Sequence, residues 1–169
     1  MSRASRILIS IAVVAVALFG VLVVMSLFWL RPEGLGNFDG RLLGYDVDAA
    51  RAYLSALSDQ GRALYLGPFR WVDTVFPILV ACAIGGTIWR TALGFPVAQR
   101  IAMLGVVVAY LVVDLSENAF VAQMLRSVGP VSAELADRAS DMTQMKWALF
   151  AASLVLLDVL RRRNKTGSV

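Results

Sequence analysis

Two carboxyl side chains, Asp114 and Glu117, interrupt an otherwise apolar run over 101–122. The run is long enough to cross a bilayer, which places both acids in or beside hydrocarbon. A lone charge at that depth costs on the order of 3 to 10 kcal/mol, so such residues face a bundle interior or a wet cavity and have partners there. The two are one helical turn apart and share a face with Tyr110 and Asn118. Paired carboxyls in a dry site can separate in acidity. They can then serve as acid and base, handle a proton or hold a ligand. The competing reading is a purely structural polar network, in which Tyr110 packs or donates to Asp114.

The elements that must position these residues follow from composition. The chain has 169 residues, 59% of them hydrophobic, and a mean hydropathy of +0.71. That is a membrane composition, and it fits one helical domain over 1–169. Histidine is absent and Cys82 is the single cysteine. The usual ligands of haem, zinc and copper are therefore missing, as is the commonest base near neutral pH. Neither a cofactor nor a metal is expected, no catalytic set is assigned, and Cys82 reads as an inert core residue.

Four apolar spans are expected, at about 7–30, 71–89, 101–122 and 142–160. The first follows Arg3 and Arg6 but is too long for a signal-peptide core, and it ends in Leu27-Phe28-Trp29-Leu30 without a small-residue cleavage site. It reads as an uncleaved anchor. If the spans alternate, Arg3, Arg6, Arg90, Arg100, Arg161, Arg162, Arg163 and Lys165 share one side, and nearly all the acids lie on the other. The positive-inside rule then puts both termini in the cytoplasm, and the expected location is multi-pass in a bacterial inner (plasma) membrane. The basic residues are thus a topology signal, and no nucleic-acid partner is expected. Asp158 can pair with Arg161 or Arg162 one turn on. Gly94 and Pro96 lie in a short connection, so spans two and three form an antiparallel pair, and Gly85-Gly86 suits close helix approach.

The segment 31–70 is longer than a simple loop. Its start (RPEGLGNFDG) has the composition of irregular chain. Asp46 or Asp48 can then cap a helix carrying Val47, Ala50, Leu54 and Leu57 at helical spacing. Gly61 is expected to interrupt it, and a second short turn over 62–66 is expected to stop at Gly67-Pro68. The fold class is therefore all-α: a polytopic four-transmembrane-helix bundle with short amphipathic helices on the outer, periplasmic side. After the second outer loop, Gly129-Pro130 and Ser132 mark the start of the helix that feeds span four.

Depth estimates bring the polar residues together. At about 1.5 Å per residue from Ile101, Asp114 lies roughly 20 Å up and Glu117 roughly 24 Å up. Span two brings Asp73 and Arg70 to the same layer, and span four brings Thr143, Gln144 and Lys146. The candidate ligand-binding or polar cluster is Asp73, Tyr110, Asp114, Glu117, Asn118 and Lys146, with Lys146 as counter-ion for Asp114 or Glu117. The bland alternatives are that Asp73 caps span two, that Glu117 sits at the headgroups, and that Lys146 snorkels.

Three segments together resemble a group of uncharacterised bacterial four-helix integral membrane proteins. They are Gly44-Tyr45 through Gly61-Arg62-Ala63-Leu64-Tyr65 to Asp73 and Pro77, then Asp114-Leu-Ser-Glu117-Asn118, then Thr143-Gln-Met-Lys146-Trp147. The resemblance implies the four-helix fold and a shared polar cluster, and it carries no activity. Three functions compete. The first is a non-enzymatic subunit, assembly or binding factor whose partners are membrane lipids and another membrane protein or a second copy. The second is a lipid or small-ligand carrier. The third is an intramembrane acid–base enzyme acting on a lipid.

Overall fold

The structure, a computed structural model, describes residues 2–166. Those residues form α1 (Arg3–Trp29), α2 (Val47–Ala56), α3 (Asp59–Leu64), α4 (Arg70–Thr91), α5 (Val97–Arg126) and α6 (Ala133–Thr166), with no strand among them. Four segments are long and apolar enough to cross a membrane: Arg3–Trp29, Asp59–Thr91, Val97–Arg126 and Ala133–Thr166. The all-helical expectation therefore holds, together with its four membrane-length helices.

Local chemistry fixes where the helices start. Ser2, Asp46, Ser58 and Ser132 each accept a hydrogen bond from the backbone N–H three residues on, at 3.2, 2.7, 3.1 and 3.3 Å. Each bond satisfies one donor that the first helical turn would otherwise leave unpaired. Asp46, not Asp48, is the cap of α2.

Two expectations about the segment before α4 are corrected. The break between α2 and α3 lies at Leu57–Ser58, where the backbone turns extended and Ser58 begins a new helix. Gly61 sits buried inside α3 and does not interrupt it. Gly67-Pro68 does not stop the chain either. A wide π-turn, Tyr65–Phe69, absorbs the proline, and α3 runs on into α4. Gly67 takes φ −105° and ψ −106° there, outside the helical region, so the kink falls on the residue with no Cβ.

The helices also outrun the apolar windows read from sequence. With 30 residues α5 is about 45 Å long, and with 34 residues α6 is about 51 Å. A hydrocarbon core is about 30 Å thick. The excess of α6 lies in its polar first turns, which carry Glu134, Asp137, Arg138 and Asp141. There α2, α3 and the segment between α1 and α2 gather over the bundle, and this is called the capped end here. The opposite, basic end is closed by side chains. Arg100 stacks 3.5 Å over the Trp89 ring and donates to the Trp89 carbonyl at 3.1 Å. Arg163 lies 4.3 Å over Phe95, and Asn164 donates to the Thr91 carbonyl at 2.8 Å. Asp158 pairs with Arg162 at 2.6 Å.

Helix packing explains Gly86 of the Gly85-Gly86 pair. A Cβ on Gly85 would touch Leu104 of α5 at 3.5 Å, and one on Gly86 would meet Leu8 of α1 at 2.6 Å. The first is an ordinary contact that a side chain would tolerate, so it is Gly86 that allows the close approach of α1 to α4. Helix α1 packs chiefly on α4, with Phe19 and Phe76 rings 5.7 Å apart. Only Ala15 and Leu22 of α1 are buried. Cys82 is exposed on the bundle's outer surface, not in the core as expected.

The buried apolar residues form two groups. One, at the capped end, includes Leu30, Phe38, Tyr53, Phe69, Met124 and Ala139. The other, toward the basic end, includes Ile84, Ile88, Val107, Tyr110 and Leu157. Between them along α4, α5 and α6 lie Asp73, Asp114, Glu117, Asn118, Thr143 and Lys146, all buried. The polar residues thus form a layer between two apolar cores.

Candidate functional site

The layer is built from helical periodicity. Asp114, Glu117 and Asn118 fall on the inward face of α5, Thr143 and Lys146 on that of α6, and Asp73 in the first turn of α4. Glu117 is 0% exposed and Lys146 is 6% exposed. Both side chains therefore turn into the protein interior, and neither extends along the outer surface of the bundle. Asp73 does not cap α4, because the cap residue is Phe69 and makes no side-chain bond.

Lys146 has two partners. Its Nζ contacts Glu117 Oε2 directly and lies 3.0 Å from Asp39 Oδ1. Of the two expected counter-charges the structure selects Glu117, not Asp114. The second partner, Asp39, comes from the segment between α1 and α2 and was read from sequence as irregular chain. The Thr143 hydroxyl donates to Glu117 Oε1, with the Ala139 carbonyl 3.1 Å away as its alternative acceptor. Tyr65 donates its phenol to Asp39 Oδ2 at 2.7 Å, and Trp147 donates its indole N–H to the Asp39 carbonyl at 3.1 Å. Asp39 is thereby held by three side chains, from the π-turn and from α6.

Its neighbours explain why the chain brings Asp39 there. Phe38 is fully buried, with the Tyr45 and Tyr53 rings 4.9 and 4.8 Å from its own. The Arg41 guanidinium lies 5.4 to 5.6 Å over all three rings. The Tyr53 hydroxyl donates to the Leu30 carbonyl at 2.9 Å. Gly44 takes φ +82° against α6, where a Cβ would strike Gln144 at 2.4 Å and Ser140 at 2.7 Å. The Ser140 hydroxyl accepts from the Tyr45 N–H at 2.8 Å. An aromatic anchor and one close backbone approach thus carry Asp39 onto Lys146.

The remaining candidates are near but not bonded into this set. The Asn118 amide donates to the backbone carbonyl of Asp73 at 3.3 Å, tying α5 to α4. Tyr110 packs its ring 5.7 Å from Phe150 and stands beside Asp114. Asp114 is 5% exposed, and its Oδ1 has no hydrogen-bond partner among the described residues. Gln144 is exposed, and Arg70 is half-buried and makes no ion pair with Asp73 among the described residues. Lys146 nevertheless feels the charge of all four carboxyls, Asp39, Glu117, Asp114 and Asp73. Among the described residues, no group of three or more His, Cys, Asp or Glu is arranged to hold a metal ion.

The space around the layer is small. A cavity of about 10 Å³ touches Tyr65, Arg70, Asp73 and Asn118, which is room for about one water. A larger cleft of about 500 Å³ opens at the capped end, lined by Arg51, Leu54, Arg62, Met124 and Val131. Its arginines are engaged with backbone. Arg51 donates to the Val131 carbonyl at 2.8 and 3.0 Å, and Arg62 donates to the carbonyls of Leu125 and, at 3.1 Å, Leu54. Arg51 fastens α2 to the connection between α5 and α6, and Arg62 ties α3 to α2 and to the last turn of α5.

Outside the spans, burial pushes the Asp39 carboxyl up, but the Lys146 ammonium and the Tyr65 hydrogen bond pull it further down. The net position is below the ordinary carboxylate value. Burial, then the Asp39 carboxylate, raises the Tyr53 phenol well above its usual range, and Tyr45 is raised likewise by burial and Glu117. The consequence for Asp39 has a definite sign. A carboxyl whose folded value lies below its unfolded value stabilises the fold fully above about pH 4, and that contribution is lost as pH falls through the folded value. Asp39→Asn is therefore expected to flatten the acid limb of a stability-versus-pH profile measured in detergent. An unchanged acid limb would remove Asp39 from the ion pair.

No protein-family model, curated protein or solved structure matches the chain, so the site is read from its own geometry.

Proposed function

We propose that the protein is a small, non-enzymatic integral membrane protein of the bacterial inner membrane, acting as a subunit, assembly or binding factor. Both termini lie in the cytoplasm, and the capped end faces the periplasm. The observation that supports this reading best is the way Lys146 is shared. Its ammonium joins Glu117 of α5 to Asp39 of the loop. The protein's own side chains thereby fill the positions a substrate would need, and the adjoining cavity has room for about one water. An enzyme or carrier needs a pocket of several hundred Å³ around its working groups. The layer instead behaves as a latch that holds the cap on the bundle.

Partner contact is assigned to α1. Along most of its length it offers apolar side chains to the surroundings, among them Val13, Val16 and Phe28. Lipids cover this face, and another membrane protein or a second copy can replace them. Native mass spectrometry of the protein extracted with its lipids tests the reading. Release of a second polypeptide is the expected result. A stoichiometric small molecule, retained by the wild type and lost in Lys146→Met, would favour the carrier instead.

Orientation has its own test. Asn37 would be a poor labelling position, because its amide is buried against Ser26 at 3.1 Å. Leu43 is 96% exposed at the capped end. In a Cys82→Ser background, a cysteine at Leu43 should react with an impermeant maleimide added to intact cells, and one at Gly94 should not. The reverse pattern would invert the topology.

A further inference from the structure

We propose that the cleft at the capped end binds the headgroup of one anionic phospholipid, with the phosphate held by Arg51 and Arg62. The cleft measures about 500 Å³, the size of a small-ligand site. Arg51 of α2 and Arg62 of α3 stand in its wall, and no carboxylate is among the residues that line it. Leu54, Met124 and Val131 give it an apolar floor. Positive charge beside an apolar floor matches an amphiphile with an anionic head.

The two arginines are held in place without being used up. Arg51 donates through Nε and Nη2 to the Val131 carbonyl, and Arg62 through Nη1 and Nη2 to the carbonyls of Leu125 and Leu54. A guanidinium has more N–H donors than these bonds take, so each keeps some for a ligand. The charges are open as well. Arg62 makes no ion pair among the described residues, and Arg51 has Asp48 at 3.7 Å, with the Asp48 side chain 88% exposed. An exposed pair of this kind is worth little. Guanidiniums already fixed by backbone lose less freedom on binding, and their planar donor sets suit phosphate oxygens.

The level of the cleft selects a lipid over a free anion. The apolar run of α5, 101–122, is about 33 Å long, close to the thickness of a hydrocarbon core. Met124, Ser127 and Val131 follow that run directly, so in a bilayer the cleft opens in the headgroup layer. Trp71 at the start of α4, with Phe28 and Trp29 at the end of α1, is exposed at the same end. An aromatic belt belongs at that level. The arginines thus stand where lipid phosphates lie.

The inference needs the chain to cross a bilayer, but neither its orientation nor the assembly role proposed above. Native mass spectrometry of the protein in detergent, supplied with equal amounts of phosphatidylglycerol and phosphatidylcholine, tests it. The wild type should retain one phosphatidylglycerol per chain, preferred roughly tenfold over phosphatidylcholine. Arg51→Gln and Arg62→Gln should each lower that retention by roughly tenfold. Arg126→Gln, at the exposed end of α5 and outside the cleft, should leave it intact. Retention with no headgroup preference overturns the proposal, as does a loss in Arg126→Gln equal to that in Arg62→Gln. An excess of inorganic phosphate should not displace the lipid, and displacement would overturn the lipid in favour of a free anion. Because the arginines also fasten the cap, their variants can fail to fold, and Ala52→Glu then decides. It brings a negative charge to the cleft from an exposed position on α2 and removes neither arginine. It should abolish retention, and a lipid still held by that variant overturns the proposal. Absence of a second polypeptide in the same spectra counts against the assembly role and leaves the lipid peak unchanged, so the two readings fail separately.

Discussion

Lys146→Met is expected to destabilise the folded protein by roughly 3 to 5 kcal/mol, as for other buried pairs broken from one side. In thermal unfolding in detergent this corresponds to a fall in Tm of roughly 6 to 20 °C for a chain of this size. Methionine keeps most of the side-chain volume, so the loss isolates the charge. Removing the ammonium leaves Glu117, which is 0% exposed, and Asp39 without their cation. Adding Glu117→Gln should restore part of the loss, because glutamine keeps an acceptor for Thr143 without a charge. Adding Asp114→Asn should restore less, since Asp114 does not touch the ammonium. A single substitution costing under about 1 kcal/mol would mean that the pairing is no stronger than an exposed one. Equal rescue by the Glu117 and Asp114 changes would mean that the pairing is assigned to the wrong carboxyl.

That distinction marks how far the sequence could lead. Asp114, Glu117 and Lys146 were legible because charges inside apolar runs must turn inward, and helical spacing says which of them share a face. The choice between the two carboxyls was not legible. It depends on the rotation of α6 against α5, which the spacing of residues along either helix does not fix. Asp39 was hidden for a different reason. It lies in a glycine-rich stretch with no periodicity, and its partner is 107 residues away. Two clues did exist: Phe38 is the one aromatic in the stretch RPEGLGNFDG, and a single lysine could not balance the carboxyls of the layer. Gly67-Pro68 misled because the rule that proline ends a helix assumes a regular turn, and the wide turn Tyr65–Phe69 needs no N–H from Pro68. Cys82 misled because burial scales derived from soluble proteins do not separate a lipid-facing surface from a core.

Phe38→Ala is expected to cost about 3 to 5 kcal/mol, the usual range for removing a buried phenylalanine. It should also do something a cavity elsewhere would not. Phe38 is the anchor that seats Asp39 beside Lys146, so its loss should expose the loop as well as weaken the fold. A cysteine at Asn37, buried against Ser26 in the wild type, should become reactive in the Phe38→Ala background. Ile84→Ala, in the apolar core toward the basic end, should lower stability without exposing that position. Equal reactivity in the two backgrounds would mean that the loop is not held by its aromatic anchor.

The bond between Asp39 and Lys146 also sets a clock on synthesis. At 5 to 20 residues per second, a separation of 107 residues means that Asp39 is made roughly 5 to 20 s before its cation exists. Throughout that interval the loop has its aromatic anchor but no counter-charge. It can close only when the last long helix has been threaded into place beside α5. Closure is therefore among the final events of biogenesis. A chain stalled before α6 would display an open, acidic loop that a membrane quality-control protease could tell from the finished protein.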